Sequence, residues 1–185
     1  MDWKNVDKRQ LIIVLGCIVG TFLLSLIRVP ALQNSTTSAL GDINAYASLE
    51  DAGIFASVMA LGVPWGVIAP VLGIVLGDIV MGSKYFIIGN LLIKSVMGLF
   101  IAAFASKCDD WKKSFVIAGI AELIMLVLFF IYDLLIIREF NVVGTTLLMQ
   151  LIQAIVCTFL GAAVLRFMPV MQPDRMLEIH RPIDE

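Results

Sequence analysis

Six apolar runs, at about 11–27, 48–63, 65–81, 85–106, 114–137 and 144–167, take up most of this 185-residue chain. A membrane-crossing helix needs about 20 predominantly apolar residues, and lipid admits only helices or closed barrels as spanning structures. The short alternating segments of a barrel are missing. The expectation is an all-α membrane protein, a compact bundle of six transmembrane helices forming one domain over 1–185. Composition agrees: 60% of residues are hydrophobic, against about 45–50% in a soluble domain, and mean hydropathy is +0.97. The first run reads as a retained helix rather than a cleaved leader.

Orientation follows from the cations of the short connections. Lys4, Lys8, Arg9, Lys107, Lys112, Lys113, Arg166, Arg175 and Arg181 fall on one side; Arg28, Lys84 and Arg138 fall on the other. The first side is expected to be cytoplasmic, with both termini there. The 28–47 loop, rich in Ser, Thr, Asn and Gly, then lies outside. A loop of this length is a lid or binding loop, or else a solvated connector, and the lid reading is preferred.

Polar residues inside apolar runs carry the functional signal, because an ionisable group in lipid must face protein, water or ligand. Asn90 and Lys94 stand one helical turn apart in the fourth run; Phe129, Tyr132 and Asp133 lie on the fifth, with Glu122 deeper; Thr146, Gln150, Gln153 and Cys157 step along the sixth. At 1.5 Å rise per residue, these stripes lie roughly 6–14 Å below the outer ends of their helices. Shared faces and matching depth point to a cavity opening outward. Interhelical hydrogen bonding without a ligand is the plainer explanation of the same stripes. Glu50 and Asp51 open the second helix, where acids suit the helix dipole. Helix 3 repeats small residues at Gly66, Ala69, Gly73 and Gly77, contains Pro70, and ends near Asp78.

Other chemistry is excluded or weak. His180 is the only histidine and sits in the tail, and no Cys, His and acid residues have metal-ligand spacing along the chain. The run Gly89 to Ser95 lacks the second glycine of a phosphate loop. There is no basic patch for nucleic acid, and three cysteines without framework spacing read as free thiols. No enzyme, cofactor or metal is therefore expected of this chain.

Three stretches together resemble the substrate-binding S components of energy-coupling factor (ECF) vitamin transporters. They are Gly41-Asp42-Ile43-Asn44 through Leu49-Glu50-Asp51-Ala52, the Gly-spaced helix ending Leu76-Gly77-Asp78, and Ile93-Lys94-Ser95-Val96-Met97-Gly98-Leu99. The resemblance implies a capture subunit in the bacterial cytoplasmic membrane. It implies as partners a transmembrane coupling subunit and two ABC-type ATPases, which use the ATP. The bound vitamin is released inward by toppling of the subunit. Gly16-x-x-x-Gly20 stands where the family has its small-residue docking motif, usually Ala-x-x-x-Ala. The implied pocket takes Asn90, Lys94, Phe129, Tyr132, Asp133, Thr146, Gln150 and Gln153, under a lid with Asn34, Asp42, Asn44 and Tyr46. Pyridoxine or hydroxymethylpyrimidine suits these groups best, then pantothenate, then riboflavin. The rival readings are a structural or assembly subunit without ligand and, less favoured, a membrane enzyme using carboxylates.

Overall fold

The computed structural model describes residues 8–31, 36–38, 41–137, 139–168 and 170, the backbone alone at 36–38, 41 and 42. It is mostly helical: α1 (Lys8–Leu26), α2 (Glu50–Leu61), α3 (Trp65–Val80), α4 (Lys84–Gly89), α5 (Ser95–Phe104), α6 (Trp111–Ile136) and α7 (Phe140–Phe167). A π-helical turn, Asn90–Lys94, joins α4 to α5, so these run as one apolar rod over Lys84–Lys107. That rod, α1, α6 and α7 are each long and apolar enough to cross a membrane. The other two are shorter. The 12 residues of α2 reach only about 18 Å at the usual rise, against a hydrocarbon core of about 30 Å.

The loop over 28–48, expected on the outer side, departs from the all-α expectation. Arg28–Pro30 (β1) pairs antiparallel with Tyr46–Ser48 (β4), and Thr36–Ser38 (β2) with Gly41–Ile43 (β3). Tyr46, Ala47 and Ser48 are all buried, and Ala45 and Ala47 pack on Met149 of α7. The end of the loop is thus a strand laid against the bundle before α2 begins, which shortens the helix expected over 48–63.

Small residues set the closest helix contacts. A Cβ placed on Gly73 of α3 would fall 2.5 Å from the Ile18 carbonyl oxygen of α1 and would collide with Thr21; one on Gly77 would collide with Ser25. Close approach of this kind requires glycine. Pro70 does not interrupt α3, which is continuous across it. The following turn uses Gly82 at φ 70°, a conformation that glycine adopts without steric cost.

Polarity is distributed inside out. Ile12, Leu135 and Phe140 are 68, 69 and 82% exposed, whereas Lys94, Glu50, Asp51, Glu122 and Asp78 are almost wholly buried. Water would penalise both halves of that arrangement. A lipid surrounding suits it.

Candidate functional site

The π turn places Asn90 and Lys94 in the rod over Lys84–Lys107, both buried. A π turn inside a helix commonly marks a functional position. Around it, α2, α6, α7 and the 28–48 loop converge on a small internal cavity. Its wall includes Asn90, Lys94, Phe129, Gln150 and Gln153, five of the eight pocket residues expected from the stripes. Tyr46, Glu50, Phe86 and Met125 complete it. The free space at its centre is about 10 Å³, about what one water needs.

Two hydrogen-bonded networks frame this cavity. In the inner one, Lys94 donates to Asp51 Oδ1 and lies 3.6 Å from Glu50 Oε1. Gln153 Nε2 donates to Asp51 Oδ2 at 2.6 Å, and its Oε1 accepts from the Ser48 backbone N–H at 2.8 Å. The strand end of the 28–48 loop, α2, the π turn and α7 are therefore tied through one carboxylate and one amide.

In the outer network Asp78 takes three donors. Arg28 Nη2 and the Tyr46 hydroxyl reach Oδ1 at 2.8 and 2.7 Å, and Asn90 Nδ2 reaches Oδ2 at 2.7 Å. Arg28 also stacks 3.8 Å from the Tyr46 ring centroid and donates to Ser83. Burial, with the Glu50 and Asp78 carboxylates, pushes the Tyr46 phenol well above its usual range, so it stays protonated and serves as a donor. Tyr46, which the lid reading expects over the cavity, is part of its wall. Asn44 is exposed, and Asn34 and the side chain of Asp42 lie outside the described residues.

Three expected pocket residues are elsewhere. Asp133 accepts from Tyr85 at 2.7 Å and from Thr146 at 2.6 Å, and the Tyr132 hydroxyl donates to the Tyr85 carbonyl at 2.8 Å. Tyr132, Asp133 and Thr146 are absent from the cavity wall; their polar groups hold α4, α6 and α7 together.

Two kinds of polar atom remain without a hydrogen-bond partner among the described residues. Gln150 lines the cavity and leaves both its amide nitrogen and oxygen unpaired, and Glu50 leaves Oε2 unpaired. Both oxygens of Glu122 are also unpaired. Carboxylate oxygens of Asp51 and Glu122 and the Cys157 sulfur lie within 4.8 Å of one another, a convergence that spacing along the chain does not reveal. The Lys94 ammonium is bonded to that same Asp51 and supplies the local positive charge.

Glu50, Asp51, Asp78, Phe86 and Met125 are among the site residues that sequence reading leaves out. The acids had a ready explanation at helix ends, and Phe86 and Met125 sit in apolar runs. The usable signal was the lack of any cation on α2 to balance two adjacent acids. Gly16 and Gly20 are also placed: a Cβ on either meets nothing within 4 Å. They line an open groove of about 350 Å³ on α1 and α2, and pack against no other element among the described residues.

Comparison with known proteins finds no match among family models, curated proteins or solved structures.

Proposed function

We propose that this chain is the substrate-capture subunit of an ATP-driven importer, similar to the S components of ECF vitamin transporters. It binds a small water-soluble vitamin or vitamin precursor from outside. In this reading six helical rods lie in the cytoplasmic membrane with both termini inside, and the cavity sits under the outer loop. A transmembrane coupling subunit and two ABC-type ATPases drive release by toppling the subunit. The observation that carries the reading is the Gln150 amide, buried in an aromatic-walled cavity with neither polar atom paired. A buried polar group without a partner costs about 1–3 kcal/mol; a ligand with its own donor and acceptor removes that cost. The open glycine groove on α1 supports docking of the coupling subunit, since Gly16 and Gly20 meet no other element among the described residues.

Lys94 takes a different part from the one its burial suggests. It is bonded within the fold to Asp51, so it positions the wall and is not a free anchor for a ligand carboxylate. Among ligands without a positive charge, pyridoxine and hydroxymethylpyrimidine keep their place ahead of pantothenate and riboflavin.

One observation favours a structural subunit instead: the cavity has space for about one water, so ligand entry requires the wall to move. Mass spectrometry of small molecules released from the denatured, gently purified protein separates the two. A stoichiometric vitamin establishes capture and identifies the substrate. A protein that purifies empty and binds none of the water-soluble vitamins is the structural subunit.

A further inference from the structure

We propose that the ligand of this cavity is an organic cation, a protonated amine or positively charged nitrogen heterocycle, with its charge set against Glu50 and its ring against Phe129. This rests on the capture reading above and gives the site its charge selectivity.

Acids outnumber cations in and behind the wall: Glu50 lines the cavity, while Asp51, Asp78 and Glu122 lie behind it. Glu50, Asp51, Asp78 and Glu122 are each at most 2% exposed, and the cations beside them are Lys94 and Arg28. Asp78 is satisfied by Arg28, Tyr46 and Asn90. Lys94 is left to balance Asp51, Glu50 and Glu122, and its hydrogen bond goes to Asp51. Charges in a low-dielectric interior interact several times more strongly than in water, so an anionic ligand would be set against carboxyl groups that already share one cation, and a cationic one would give them a second.

The unpaired atoms are specific about the partner. Glu50 Oε2 is a carboxyl oxygen without a partner; in its ionised form it only accepts, and takes an N–H or O–H donor, a charged one most. The Gln150 amide offers two donor hydrogens and an acceptor oxygen, which suits the ring nitrogen and exocyclic groups of a heteroaromatic. Phe129, Phe86 and Tyr46 supply aromatic faces on the same wall, and such faces attract cations. Lys94 Nζ already lies 5.6 Å from the Phe129 ring centroid, so the wall tolerates positive charge there. A carboxylate ligand would find a single ammonium, bonded to Asp51, and would face Glu50.

The test is equilibrium dialysis of the purified full-length chain in lipid nanodiscs against probes matched in ring and differing in charge. These are pyridoxamine, pyridoxine and 4-pyridoxate, then thiamine and its neutral hydroxymethylpyrimidine half, with pantothenate and riboflavin alongside. The expected result is that a cationic probe binds about tenfold or more tighter than its neutral counterpart, the size of a charged hydrogen bond. Glu50→Gln, checked for an unchanged melting temperature, is expected to bring each cationic probe to the affinity of its neutral counterpart. Tightest binding by pantothenate or 4-pyridoxate, equal affinity across a matched series, or a preference that survives Glu50→Gln overturns the cation assignment and leaves capture standing. Binding by none of the probes to folded protein overturns the capture reading, and the cation assignment with it. The wild-type charge series decides the matter even if the variant fails to fold.

Discussion

Gln150 and Lys94 are both buried polar side chains of the inner face, and what surrounds them makes them opposite in energetic role. The Gln150 amide has no partner, so replacing it with apolar Met of similar length removes a desolvation cost. We expect Gln150→Met to stabilise the ligand-free protein by up to about 1–3 kcal/mol while abolishing ligand binding, read by thermal melting and dialysis on the same sample. Lost binding together with lost stability would show that Gln150 is structural. Lys94 is the reverse case. Removing one member of a buried ion pair leaves an unbalanced charge and costs about 3–5 kcal/mol, so Lys94→Met is expected to lower the melting temperature sharply. Adding Asp51→Asn should recover much of that loss, because the stranded charge goes and the Gln153 hydrogen bond keeps its acceptor. A double-mutant cycle with no coupling would disprove the pairing. That both residues matter was legible from polar side chains in apolar sequence. That they matter differently was not, since the Lys94 partner lies 43 residues away and spacing along a helix carries no information about it.

At the scale of elements, the small-residue pattern was legible but its division of labour was not. Gly16 and Gly20 on α1, and Gly73 and Gly77 on α3, look alike as i, i+4 pairs. The structure separates them by what a methyl group would touch: backbone and side chains of α1 for Gly73, nothing for Gly16 or Gly20. Gly73→Ala is therefore expected to destabilise the bundle by about 1–3 kcal/mol, the usual cost of overpacking, because the Ile18 carbonyl belongs to rigid helix backbone. Gly16→Ala is expected to be neutral or slightly stabilising, since alanine is the better helix former by about 1 kcal/mol. The larger pair Gly16→Leu with Gly20→Leu should fill the open groove. It should weaken association with the coupling subunit in co-purification while ligand binding and melting temperature hold. Equal loss of binding and association would instead mean a damaged fold. The β-strands of the 28–48 loop had no strong signal, being three residues each. They form by pairing with each other and by packing on α7, both tertiary effects.

Across the whole molecule, the apolar exterior and charged interior make the membrane reading legible from composition, while orientation rests on the positive-inside asymmetry alone. Cys108 makes that asymmetry testable. It sits in the connection between α5 and α6, beside Lys107, Lys112 and Lys113, and is partly exposed, whereas Cys157 is buried and Cys17 lies within α1. With Cys17→Ser and Cys157→Ser in place, a membrane-impermeant maleimide should label Cys108 in inside-out vesicles and leave right-side-out vesicles unlabelled. Burial raises the Cys108 thiol above its ordinary value. The reactive thiolate is then scarce at neutral pH, and the labelling rate should climb as pH rises toward that raised value. A further Cys108→Ser change should remove the signal and so control for leakage. Labelling from the outer face alone would invert the molecule, put Tyr46 on the cytoplasmic side and leave the capture proposal without an outward mouth. Labelling confined to the inner face would place Tyr46 on the side from which an imported cation arrives.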